Sequence, residues 1–182
     1  DLTRPFMVEG HELYVTASIG IAMFPGETED AESILKHATT AVNRIKEGER
    51  NSCLFYLPDM QKAANKRLNL EKELRLALNN DEFQLFYQPQ VDFSGRIIGA
   101  EALVRWTHPE KGVVSPADFI PIAEETGLIL PLGNWVIQSA CSQIKKWLEM
   151  GLIDNLKYIS VNVSPQQFRQ ADFADNVTKT ID

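Results

Sequence analysis

The residues best suited to chemistry in this chain lie on strands rather than in loops. Over Ile97–Trp106 the period-two geometry of a strand sends Ile98, Ala100, Ala102, Val104 and Trp106 to one face and Ile97, Gly99, Glu101, Leu103 and Arg105 to the other. A carboxylate and a guanidinium on one face of a buried strand need compensation, because isolated charges are expensive away from water. Two accounts meet that need. One is a structural ion pair or a solvated strand end. The other makes Glu101 a ligand for a hard cation and Arg105 a clamp for phosphate, about 13 Å apart along the strand at ~3.3 Å per residue. Two further segments carry polar residues of one parity. Gln84, Gln88 and Gln90 share a face with Phe86, and Ser160, Asn162 and Ser164 share a face opposed to Ile159, Val161 and Val163. Each amide alone can be a satisfied hydrogen-bonding residue. Three strands with a polar inner face and an apolar outer one point to a ligand site in a barrel mouth.

The elements that must position these residues follow from pattern. His11 to Phe24 alternates as one strand, stopped by Pro25-Gly26. Ile34, Leu35, Ala38, Ala41, Val42 and Ile45 mark an amphipathic helix from near Asp30 to Gly48. Ser52 to Leu57 reads as a short strand. Pro58-Asp59 opens a charged helix, running to Asn79-Asn80, with a thin apolar stripe of Leu70, Leu74, Ala77 and Leu78. Such a helix suits a connector between domains. Phe83–Val91 and Ile97–Trp106, joined by a Ser94-Gly95 turn, form an antiparallel hairpin. Ser115-Pro116-Ala117-Asp118 is a helix start, and Leu132 to Leu148 a strong helix ending at Gly151. Lys157 to Val163 is a strand, and Ser164-Pro165 begins another helix. Strands alternating with long helices argue for a mostly parallel α/β barrel or sheet.

Composition narrows the function classes. The 182 residues are 44% hydrophobic and 24% charged, which is ordinary globular usage. A net charge of −7 speaks against a nucleic-acid polymer as partner and leaves room for a local basic pocket holding a small phosphate ligand. Cys53 and Cys141 stand far apart, which fits two buried structural thiols in a reducing cytosol rather than a disulfide framework. His11, His37 and His108 share no metal-ligand spacing, and no uncharged run is long enough for a membrane span.

The motifs resemble a known family. Tyr87-Gln88-Pro89-Gln90, Gly99 through Trp106, His108-Pro109, Gly112 and Pro116 to Ile120 are similar to the opening of an EAL domain. So are Ala123-Glu124, Thr126 to Ile129, Leu132-Gly133, Trp135-Val136, Ala140-Cys141 and Ser160 to Ser164, in order from about Leu76 to Asp182. The resemblance implies the first part of a TIM-like (β/α)8 barrel whose first hairpin is antiparallel. It also implies a phosphodiesterase that opens the bacterial messenger cyclic di-GMP to linear pGpG with two Mg²⁺ or Mn²⁺ ions. It makes Glu101 and Asn162 metal ligands, has Gln88, Leu103 and Arg105 line the nucleotide with Arg105 on phosphate, and sets Pro121 at the border of the pocket.

Upstream, Thr16 to Ala22, the helix after it, Lys46 and Arg50-Asn51 resemble the tail of a GGDEF domain, the cyclic di-GMP-synthesising fold. Ala38-Thr39 departs from the family's Ala-Asp, and Lys46 and Arg50 could touch a nucleotide phosphate or simply be solvated. The expected organisation is 1–57 GGDEF tail, 58–75 connector and 76–182 incomplete EAL barrel. A complete barrel needs ~250 residues, so the chain alone is expected not to turn over and, with open strand edges, to self-associate. For the parent the resemblance implies cyclic di-GMP as ligand, GTP at the GGDEF part, a homodimer, and a cytoplasmic site that an anchor elsewhere could tether to a membrane. The competing expectation is a non-catalytic cyclic di-GMP receptor with a degenerate GGDEF domain, and behind it a scaffold that binds no nucleotide.

Overall fold

The computed structural model describes residues 5–23, 30–47, 51–152 and 156–181. The chain divides into two units, Asp1–Leu68 and Asn69–Asp182.

In the first unit, β1 (Phe6–Val8) and β2 (His11–Leu13) form an antiparallel hairpin. Its two-residue turn, Glu9-Gly10, has both φ angles positive, at 51° and 84°, as a turn matched to strand twist requires. β3 (Ile19–Ile21) instead pairs in parallel with β4 (Cys53–Phe55). The single strand expected over 11–24 is therefore two strands with different partners. Alternation reports that a segment can be half-buried, not what it pairs with. Phe24 and the Pro25-Gly26 stop lie outside the described residues, as do Arg50 and the Lys46 side chain. α1 (Ala31–Glu47) is capped by Asp30, whose Oδ1 accepts from Ser33 N at 2.7 Å. It lies against β3 at Gly20, where any Cβ would meet the Ala38 carbonyl and the Val42 side chain.

α2 (Pro58–Ala77) contains the division between the units. Its last turns do more than connect, because Leu70, Leu74 and Ala77 are buried in the core of the second unit.

That second unit is built on a four-stranded sheet. β5 (Phe83–Val91) and β6 (Ile97–His108) are antiparallel, β7 (Gly112–Val114) pairs antiparallel with the end of β6, and β8 (Tyr158–Val161) pairs in parallel with its beginning. The β6–β8 crossover runs through α3 (Pro116–Thr126) and α4 (Ile129–Glu149), as a parallel connection must. Ser115 caps α3, accepting from Ala117 N at 3.3 Å ahead of Pro116. After β8 come α5 (Pro165–Phe168) and α6 (Phe173–Ile181). Between the apolar face of β6 and the helices sits an aromatic core. Trp106 and Phe119 are fully buried and meet edge-on at 5.6 Å, with Phe83 5.8 Å and 5.9 Å from them. The Trp106 indole donates to Glu82 Oε2 at 2.9 Å, so its buried N–H is satisfied.

Candidate functional site

Register decides which side chains meet. Across β5 and β6, Gln88 is opposite Glu101, Phe86 opposite Leu103, and Gln84 opposite Arg105. Across β6 and β8, Glu101 is opposite Ser160. Directly opposed residues share a face, so one face of the sheet carries Gln88, Glu101 and Ser160 in a row, then Phe86 and Leu103, then Gln84 and Arg105. The other face buries Ala100, Ala102 and Trp106 under the helices.

On the polar face two residues join directly. Asn162 Nδ2 donates to Glu101 Oε1 at 2.7 Å, across 61 residues of chain. Arg105 lies with its guanidinium carbon 5.7 Å from the centre of the Phe86 ring and donates through Nη1 to the Val104 carbonyl at 2.9 Å. The planar fork is thus held by a ring and a carbonyl, with no carboxylate neutralising it in these contacts. Gln88 is exposed beside Glu101. A cleft of about 270 Å³ between β6 and the helices is lined by Leu103, Arg105 and Asn162 together with the core-facing Ala102 and Val104, Ile120 and Glu124 of α3 and Leu132 of α4; Glu101 and Gln88 do not line it. Pro121, expected at the pocket's border, is exposed on α3 and not among the residues lining that cleft.

The donor set has a definite chemistry. The carboxylate of Glu101 and the amide of Asn162 offer oxygen, which suits hard divalent cations and not soft ones. Because the amide NH2 holds Oε1, the oxygens not used in that bond are Glu101 Oε2 and Asn162 Oδ1. Among the described residues there is no group of three or more His, Cys, Asp or Glu that could hold a metal ion. The pair therefore fits as part of a site rather than as a whole one.

Behind Asn162, the sequence marked Ser164 as a helix start, but Gln167 and Gln166 were passed over. Ser164 and Gln167 form a reciprocal capping box on α5: Gln167 N donates to Ser164 Oγ at 3.2 Å, and Ser164 N donates to Gln167 Oε1 at 3.1 Å. The signal was present as Ser-x-x-Gln ahead of a helix. Gln166 Nε2 also donates to the Glu124 carbonyl of α3 at 2.7 Å.

Comparison with known proteins agrees with this layout. Residues 71–182 match the EAL domain model, and residues 1–52 match that of the diguanylate cyclase GGDEF domain. The chain is 38% identical over 181 residues to the bifunctional diguanylate cyclase/cyclic di-GMP phosphodiesterase MucR of Pseudomonas aeruginosa, covering 99% of this chain and 26% of that protein. It is 42% identical over 166 residues to the cyclic di-GMP phosphodiesterase PdeR of Escherichia coli, covering 91% of this chain and 25% of that one. The chain thus spans about a quarter of the length of these curated relatives. Among solved structures it is similar to the MucR phosphodiesterase in complex with cyclic di-GMP, with TM-score 0.57, 42% identity, and 62% of this chain and 45% of that chain covered. It is also similar to the EAL enzyme Bd1971 bound to cAMP and cyclic di-GMP, with TM-score 0.58, 30% identity, and coverage of 84% and 40%. No helix among the described residues is long and apolar enough to cross a membrane.

Proposed function

The chain belongs to the EAL-domain family, and we propose that in a protein carrying the complete barrel it forms the opening half of a cyclic di-GMP phosphodiesterase site. The observation that carries this reading is the Asn162–Glu101 bond on the polar face of the sheet. It brings an oxygen-donor residue of β6 and one just past the end of β8 to one point, with a guanidinium on the same face of β6.

In this reading Glu101 and Asn162 hold a divalent cation, Mg²⁺ or Mn²⁺, with further ligands from outside this chain. When bound, the cation supplies Lewis-acid stabilisation of charge on the phosphoryl oxygens. The residues here bind and orient. Arg105 pairs with a non-bridging phosphate oxygen, its guanidinium lying over Phe86. Gln88, opposite Glu101, hydrogen-bonds the nucleotide, and Leu103 gives the apolar surface between them. Pro121, one residue beyond the cleft-lining Ile120, borders the nucleotide from α3. In the reaction a water oxygen joins phosphorus, one P–O bond of the ring breaks, and the ribose oxygen that leaves takes up a proton. The product is linear pGpG.

The reading extends to GTP as the ligand of the GGDEF part and to a homodimer, which the resemblance to EAL domains implies. Neither thiol is buried as expected, Cys53 being exposed and Cys141 half-buried, but both are free and fit a cytoplasmic setting.

The test is turnover. The protein extended through the whole barrel, incubated with cyclic di-GMP and Mn²⁺, is expected to yield pGpG on chromatography, and Glu101→Ala to yield none. Unchanged nucleotide with the parent sequence would sink the enzyme. Retention of cyclic di-GMP by that same sample would then assign a receptor instead.

A further inference from the structure

The β6–β8 ladder ends at Val161, opposite Ala102. Asn162 lies one residue beyond it, exposed, so the sheet does not fix the side chain that reaches Glu101. The turn into α5 follows directly. Ser164, two residues on, is buried and has its backbone N–H held by Gln167 Oε1 at 3.1 Å. Gln167 is 2% exposed, and its amide end rests on α4 at Gly133, where any Cβ would collide with the amide carbon and nitrogen. Gln166 ties the same turn to α3.

Two features of this arrangement are unfavourable in isolation. The Gln167 Nε2 is buried with no hydrogen-bond partner, so its desolvation is uncompensated. A glycine inside a helix lowers helix propensity relative to alanine. A capping glutamine needed only to close a four-residue helix could keep its NH2 in water. Local rules broken together at one point, next to a metal-ligand pair, mark a positional requirement.

We propose that Gln167, seated on Gly133, is a positioning residue that fixes the turn after β8 and so holds the Asn162 amide on Glu101, setting the affinity of that pair for its divalent cation. The proposal rests on the reading of Glu101 and Asn162 as metal ligands. Groups that orient a ligand from behind typically set affinity by 10–100-fold when removed. Gly133 provides the space, and α3 and α4 provide the frame.

The test is a calorimetric Mn²⁺ titration without nucleotide, on the protein carrying the complete barrel, alongside thermal unfolding. Gln167→Met keeps length and volume while deleting both amide functions. It is expected to weaken Mn²⁺ binding about 10-fold or more with only a small change in the unfolding midpoint, since the orphaned NH2 goes while the Ser164 N–H loses its acceptor. Gly133→Ala displaces the glutamine while favouring the helix, and should weaken Mn²⁺ binding likewise. It stands in if Gln167→Met does not fold. Mn²⁺ affinity within twofold of the parent in a folded variant overturns the proposal. Glu101→Ala separates the two readings: if it abolishes Mn²⁺ binding while Gln167→Met changes nothing, only the positioning role fails. If Glu101→Ala also changes nothing, the metal site itself is wrong.

Discussion

The two units use the same secondary-structure vocabulary with different amounts of buried apolar matter. In the first, among the described residues, Ala41 and Ile45 of α1 are the buried hydrophobics, and Met7, Tyr14, Ile19 and Leu35 are exposed. In the second, Leu70, Leu74, Phe83, Trp106, Phe119, Ile122 and Leu132 interlock in one cluster. The candidate site belongs to the second unit, and its strand β6 serves both purposes at once. Its even-numbered residues from Ala100 to Trp106 face the core, and Glu101, Leu103 and Arg105 face the site. A site needs side chains held to fractions of an ångström, and that precision comes from the packed layer immediately behind it. The first unit has no equivalent layer among the described residues.

The largest expected effect tests that layer. Trp106→Ala removes the largest fully buried side chain and its indole bond to Glu82, and should cost about 3–5 kcal/mol. Urea unfolding followed through Trp135 and Trp147 measures it. Arg105→Ala, one residue away on the opposite face, should do the reverse. Stability is expected to move by less than about 0.5 kcal/mol. Cyclic di-GMP binding by the complete barrel should weaken by roughly 30-fold, the loss of one charge-assisted contact of about 2 kcal/mol. Equal stability losses for the two would mean that β6 does not separate core from site.

Part of this was legible from residue types alone. The parity of Glu101 and Arg105 against Ala100, Ala102 and Trp106 needs only the strand period, and the hairpin and the Ser115 cap are local in sequence. What was not legible is pairing. β2 and β3 read as one strand because alternation carries no information about a partner, and β7 was invisible because three residues, Gly112–Val114, make a strand only against Trp106–His108. Gln167 shows the same limit at a site. Its capping role was written in Ser-x-x-Gln, but its burial depends on Gly133, which nothing within a helical turn of it announces.

The first unit should respond less. Ile45→Ala removes a buried side chain from a thin layer that can relax around the loss. The expected cost is therefore the low end of such substitutions, about 2 kcal/mol, read as reduced hydrogen-exchange protection of α1 and of the β3–β4 pair. A cost equal to that of Trp106→Ala would erase the contrast between the units.

The smallest effects are expected to be alike in both units, which locates the contrast in buried matter and not in surface charge. Asp30 caps α1 in the first unit, and its carboxyl lies below the ordinary 3.8, chiefly through the hydrogen bond from Ser33 N. Asp92 closes the β5–β6 turn in the second and is also depressed, first by the Ser94 hydroxyl at 2.6 Å, then by the Arg96 and Ser94 backbone N–H groups and the Arg96 guanidinium. A carboxyl whose folded pKa is below its unfolded value stabilises the fold above the unfolded value, and that contribution is lost as pH falls through the folded one. Both contributions should therefore be intact at neutral pH and disappear below about pH 4. Asp30→Asn and Asp92→Asn keep an acceptor oxygen in place and remove only the charge. Each is expected to lower stability slightly at pH 7 and to match the parent once the solution is acid enough to protonate the aspartate. Hydrogen exchange at Ser33 and Arg96 reads the two turns separately. A markedly larger acid response at Asp92 would show that the second unit differs at its surface as well as in its core.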